Sequence, residues 1–272
     1  MSATPTAPSD RAPSDRAPSD RAPSDRASAG AWAWRGAALL LDLDGTLVDS
    51  SAAIERHTLA WAARLGLDGD AVVTASHGRR DVEVVRLVAP DADVVREVEW
   101  LHRISCDDTE GVVAVPGAAA LLDGLDPRAW TVVTSAAREV ALARLTAAGL
   151  PVPARFVCAE DVARGKPDPE GFLAGARLLG VDPSRCLVLE DSAAGVAAGR
   201  GATATVLAVG PDDVPGAHHG VADLRPVGVR AVDGQVEVVV TARDACAVEV
   251  PVEILSARQP DGLGDDLPEF VA

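Results

Sequence analysis

The sequence predicts an α/β protein, a doubly wound parallel sheet with an inserted helical cap and a C-terminal β-hairpin extension. Three observations carry that expectation. Short continuous apolar runs, as in strands buried on both faces, alternate with helical patterns about a dozen residues long. One early interval keeps helical periodicity but has no strand signal. Near the end, apolar residues alternate on both sides of Asp233-Gly234, a pair that favours a tight hairpin turn.

Taken in chain order, residues 7–26 are four copies of Ala-Pro-Ser-Asp-Arg, each carrying one acid and one base. Proline in every copy opposes a helix, and nothing apolar is available to bury. Residues 1–35 are therefore expected to be a disordered low-complexity tail. The core is expected over 36–50 and 113–225. Its strands are placed at Ala37–Leu41, Trp130–Val133, Arg155–Ala159, Cys186–Leu189 and Ala204–Val209, and its helices at Arg138–Ala148, Pro169–Leu179 and Ala193–Arg200. Residues 51–112 are expected to form the cap, with apolar spacing at Ile54, Leu59, Trp61 and Leu65, at Val82, Val85 and Leu87, and at Val95, Val98 and Leu101. Residues 226–272, with three Arg against nine Asp and Glu, are expected to be a peripheral hairpin and an acidic end.

Composition narrows the function. At 48% hydrophobic and 24% charged, 272 residues suffice for a folded core. No window reaches the roughly 18 uncharged apolar residues of a membrane span, and the N-terminus has no apolar leader, so a cytoplasmic location is expected. A net charge of −16 argues against nucleic acid and anionic membranes as partners. A monomer or weak dimer is the expected state. Cys106, Cys158, Cys186 and Cys246 are far apart and expected to be reduced. The 25 basic residues include a single lysine, Lys166. In a chain so biased towards Arg, that position is a candidate for chemistry a guanidinium cannot perform.

Four segments carry that chemistry. Asp42-Leu43-Asp44-Gly45-Thr46-Leu47-Val48-Asp49 follows the first buried strand, where open α/β sheets bind ligands. Asp42 and Asp44, two residues apart, project to one side, and Gly45 permits a sharp turn. Trp130–Val133 ends in Thr134 and Ser135, hydroxyls able to donate to a phosphoryl oxygen. Lys166 precedes a helix, and Leu187–Leu189 ends in Glu190 and Asp191. Carboxylates converging at one point repel each other, and a phosphate worsens the conflict. A hard divalent cation bound by Asp42 and Asp191 removes it, and an all-oxygen ligand set suits Mg²⁺.

These segments, in this order over residues 38 to about 210, resemble the motifs of the haloacid dehalogenase (HAD) superfamily. The resemblance implies a HAD-like Rossmannoid core and two-step phosphoryl transfer on a small phosphorylated metabolite. Asp42 would be the nucleophile and Asp44 the acid–base, with Thr134, Ser135 and Lys166 holding phosphoryl oxygens. Mg²⁺ would be held by Asp42, Asp191 and the Asp44 carbonyl, with Glu190 nearby. Within the cap, Ser50–Arg56 and Ser76–Asp81 resemble phosphatases of glycerol phosphate and small sugar phosphates.

Departures from sister chemistries sharpen this reading. Dehalogenases of the fold lack the second acid, which is present here as Asp44. Phosphonatases use a cap lysine, and this cap has none. Sugar phosphomutases carry a histidine in the first cap helix, where Ile54 stands. Hydrolysis of a sugar or polyol phosphate therefore leads, with a phosphomutase or a catalytically inactive metabolite-binding protein as alternatives. Arg80 is expected to contact the substrate's distal hydroxyls, with His77 and Glu55 as weaker candidates. The competing role for Arg79 and Arg80 is ion pairing with Asp81 or Glu83. His57 and His102 are expected to be surface or packing residues, and His218-His219 an exposed loop pair.

Overall fold

The computed structural model describes residues 32–210 and 214–241. The pentapeptide repeat and the acidic C-terminal stretch lie outside the described residues.

In chain order the elements are β1 (Trp32–Gly36), β2 (Ala38–Leu41) and β3 (Val48–Asp49), then four cap helices, α1 (Ser51–Leu65), α2 (Gly69–Ser76), α3 (Asp81–Val88) and α4 (Val94–Asp107). The chain returns through β4 (Val113–Ala114) and continues as α5 (Ala118–Asp123), β5 (Trp130–Val132), α6 (Arg138–Ala147) and α7 (Glu170–Leu179). It ends in β6 (Cys186–Glu190), α8 (Ala193–Gly201), β7 (Thr205–Val209), β8 (His219–Val221), β9 (Val227–Val232) and β10 (Gln235–Val240).

The central sheet runs β5-β2-β6-β7-β8, all parallel. Its middle strands are apolar because both faces are covered. Leu39 and Leu41 of β2 join Leu187 and Leu189 of β6 in one apolar cluster, while Ala38 and Leu40 join Cys186 and Val188 in another. Each fully buried leucine contributes roughly 1.5–3 kcal/mol. Strands β3 and β4 pair antiparallel, so the way into the cap and the way out run side by side. The cap has its own core around Trp61, Val85 and Leu101. There the indole N–H of Trp61 donates to Glu97 at 2.8 Å, and Arg64 also pairs with Glu97.

Five expectations are corrected. Residues 32–35 are not tail: β1 pairs antiparallel with β10, making the sheet β1-β10-β9. The hairpin is not peripheral either, because Val227, Val236, Val238 and Val240 enter the cluster that holds Leu39 and Leu41. Its turn is Asp233-Gly234, both at positive φ, as an inverse two-residue turn requires. Residues Arg155–Ala159 touch the β5 edge through one bridge, Val133 to Val157, and then turn into a short 3₁₀ helix. The fifth parallel strand is β8. Its His219 is half-buried and stacks on Trp32 with ring centroids 5.2 Å apart, tying the two sheets together, whereas His218 remains exposed. In the cap, Leu59, Leu87 and Val95 face outward, off the stripe that carries Trp61, Val85 and Leu101. Among the described residues, no helix is long and apolar enough to cross a membrane.

Candidate active site

Asp42 leaves β2 at its carboxyl end, its backbone N–H bonded to Leu189 O on neighbouring β6 at 3.0 Å. That pairing sets Asp42 beside Glu190, the last residue of β6, and Asp191, which follows it. The three carboxylates place ligand oxygens within 4.8 Å of one another. Gly45 makes this convergence possible. It has φ 84°, and a Cβ there would overlap the Asp191 carboxylate.

Lys166 lies between the acids. Its Nζ donates to Asp42 Oδ1 at 2.5 Å and to Glu190 Oε1. Burial opposes the charge, but Asp42 and Glu190 prevail and hold the ammonium above its ordinary pKa. Glu190 is fully buried, and its second oxygen accepts from Ser192 N at 2.7 Å and Ser192 Oγ at 3.0 Å. Burial, together with the charge of Glu190, raises the Asp191 carboxyl to about 7. Burial likewise pushes Asp42 up, against the pull of Lys166. Three carboxylates against one ammonium leave two negative charges when all are ionised. An all-oxygen donor set with that deficit fits a hard dication.

Asp44 is held from both sides. Ser50 Oγ donates to its Oδ1 at 2.5 Å, and Arg144 Nη1 donates to its Oδ2 at 2.6 Å. Thr134 follows β5 and is buried, its Oγ1 accepting from Ala136 N at 3.0 Å. Ser135 Oγ donates to Gly78 O at 3.0 Å, a bond that joins core to cap.

These groups and the cap enclose a cavity of about 240 Å³. Asp42, Asp44, Thr134, Ser135, Lys166, Glu190 and Asp191 line it from the core, and Glu55 and His77 from the cap. Arg80, expected to meet the substrate, does not line it. Its guanidinium donates to Glu83 Oε1 at 2.6 and 3.1 Å, to Val162 O at 2.8 Å, to Ala163 O at 3.1 Å and to Ala159 O at 3.4 Å. Glu83 in turn accepts from Gly165 N at 3.1 Å. Arg80 and Glu83 thus clamp the cap to the loop that ends in Lys166. The clamp is tight enough that a Cβ on Gly165 would strike both side chains. His57 is a packing residue at the cavity wall, with Nε2 3.1 Å from Asp108 Oδ2.

Sequence reasoning missed Arg144 and Asp81, both of which line the cavity. Arg144 had a readable signal: it shares the inward face of α6 with Val140, Ala141 and Leu145. A charge on an apolar stripe needs a partner. Asp81, at the start of α3, is pushed up by burial and drawn down by Arg144 and His102.

A Rossmann-like sheet with an acidic, lysine-bridged site at its carboxyl edge and a helical cap above defines a class, and the sequence matches that class. Residues 37–203 match the model of the haloacid dehalogenase-like hydrolases, and the chain belongs to that family. Among curated relatives it is 45% identical to hexitol phosphatase A of Escherichia coli K12, over 66% of this chain and 87% of that one. It is 32% identical to glycerol-1-phosphate phosphohydrolase 2 of Saccharomyces cerevisiae, over 63% and 74%. A hydrolase from Pseudomonas syringae superposes with a TM-score of 0.63 at 26% identity, covering 70% of this chain and 94% of that one. A mutant CbbY from Rhodobacter sphaeroides, in complex with xylulose-(1,5)bisphosphate, shares the fold, with a TM-score of 0.62 at 23% identity over 71% and 96%.

Proposed function

We propose that this enzyme is a divalent-cation-dependent phosphatase that releases phosphate from a small sugar or polyol phosphate through a phosphorylated Asp42. The observation that carries this reading is Lys166 Nζ, bonded to Asp42 and Glu190 in a cavity that Asp191 also lines. The activities of the relatives, a hexitol phosphatase and a glycerol-1-phosphate phosphohydrolase, support the substrate class.

Asp42, Asp191 and the Asp44 main-chain carbonyl would hold Mg²⁺, with Glu190 beside them fixing Lys166. Bound there, the cation supplies the charge that lets a carboxylate and a phosphate dianion approach each other. Asp42 attacks phosphorus while Asp44 gives a proton to the leaving oxygen. Lys166, Thr134 and Ser135 stabilise the transferring group. Asp44, now a base, takes a proton from water, which attacks phosphorus and restores Asp42. Ile54 lines the cavity where mutases of this fold carry histidine, so water is the expected acceptor rather than a second sugar hydroxyl.

A phosphate-release screen over small phosphorylated metabolites tests the proposal. Release from hexitol or glycerol phosphates is expected, with loss on chelation. Interconversion of sugar phosphates without phosphate release would mark a mutase instead. No turnover of any sugar or polyol phosphate would overturn the substrate class.

A further inference from the structure

Arg144 belongs to a core helix, not to any of the four motif segments. It is buried on the face of α6 that otherwise carries Val140, Ala141 and Leu145. Burying a guanidinium there is costly unless it is paired. Its Nη1 lies 2.6 Å from Asp44 Oδ2, while Ser50 Oγ holds the other carboxylate oxygen at 2.5 Å. Two donors on opposite oxygens fix the plane of the Asp44 carboxylate. One donor comes from the core helix, the other from the residue that opens the cap helix α1. Arg144 and Ser50 also line the cavity, beside the cap residues His57 and Asp81.

We infer that Arg144 is a positioning residue for Asp44, holding the carboxylate where it hands a proton to the leaving oxygen and later takes one from water. The inference rests on the acid–base reading of Asp44 given above. In the first step the P–O bond to the substrate breaks as the Asp42 O–P bond forms, and the Asp44 proton goes to the departing oxygen. In the second, water attacks phosphorus, Asp44 receives its proton, and the Asp42 O–P bond breaks. Arg144 changes neither balance. It acts by geometry.

The test separates the two steps in Arg144→Met by using leaving groups of different quality. p-Nitrophenolate departs without a proton, so the first step survives and the second slows. Pre-steady-state kinetics with p-nitrophenyl phosphate should show a burst near one equivalent per site, then steady turnover reduced about tenfold or more. With glucitol 6-phosphate, whose alkoxide needs the proton, kcat should fall by at least as much while KM stays within about threefold. Asp44→Asn should give the same pattern, and Arg144→Met should add little in the Asp44→Asn background. In Arg144→Ala, added guanidinium should restore part of the steady-state rate, which a folding defect would not allow. Loss of the burst together with turnover would show that Arg144 supports the fold or the phosphoryl site, overturning the inference. A raised KM for glucitol 6-phosphate with normal p-nitrophenyl phosphate kinetics would make Arg144 a substrate contact, and also overturn it. An Asp44→Asn enzyme with neither defect would refute the acid–base reading itself, and the role of Arg144 would fall with it.

Discussion

Replacing Arg80 with alanine distinguishes a clamp from a substrate contact. The substitution removes the pair with Glu83 and the donors to three core carbonyls, those of Ala159, Val162 and Ala163. Arg80 is 8% exposed, so solvent replaces these bonds poorly. At about 1 kcal/mol for each carbonyl left without its donor, the loss is about 3 kcal/mol. For a domain of this size that corresponds to a fall in Tm of about 6–12 °C. Because the clamped loop runs straight into Lys166, kcat/KM should fall for every phosphate ester, and by similar factors. The assay is thermal unfolding combined with steady-state kinetics on a hexitol phosphate and on p-nitrophenyl phosphate. An unchanged Tm with a tenfold loss confined to the hexitol phosphate would refute the clamp and return Arg80 to the substrate.

Three further outcomes are expected. Lys166→Arg should lower kcat by about a hundredfold or more although charge is conserved, because a planar guanidinium does not fit the compact site between Asp42 and Glu190; near-normal turnover would count against it. Burial pushes Glu83 up, but its bonds to Arg80 more than offset this and leave it below its ordinary 4.5, so its stabilisation is complete above that pH and lost as pH falls through the lower folded value. Glu83→Gln should therefore lower Tm at neutral pH, and the difference should shrink as pH falls below 4.5 through the lower folded value, as paired melts would show. With Asp191 raised to about 7 and Asp42 also pushed up, a cation must displace protons, so Mg²⁺ affinity measured by titration should climb by at least about tenfold per pH unit below 7; a flat profile would contradict this.

Much of the core was legible because its signals are local. Ala38–Leu41 and Cys186–Glu190 are uninterrupted buried runs, and each delivers its acids directly at the strand end. Lys166 was legible because no other residue of its type exists in the chain. What escaped was set by distant partners. Trp32–Gly36 alternates like a strand but adjoins the proline-rich repeat, and only pairing with β10, some two hundred residues away, reveals it. The three-residue strand β8 gains its place from β7 alone, in a stretch rich in glycine and proline. Arg80 is expected to meet the substrate because its segment resembles a substrate-binding one, whereas the competing pair with Glu83, three residues on, is the one that forms. The carbonyls that occupy Arg80 belong to a loop eighty residues later, which no local pattern could show.

The central claim is that Asp42 carries the phosphoryl group. Acid-quenched single turnovers with p-nitrophenyl phosphate, whose leaving group needs no proton, in the slowed Asp44→Asn enzyme test it most directly by mass spectrometry of the peptide containing Asp42. The mechanism predicts that this peptide gains the mass of one phosphoryl group in the presence of Mg²⁺, and that an added Asp42→Asn substitution abolishes both the adduct and turnover. Turnover that persists in Asp42→Asn, or phosphate release with no adduct on that peptide at any quench time, would contradict it.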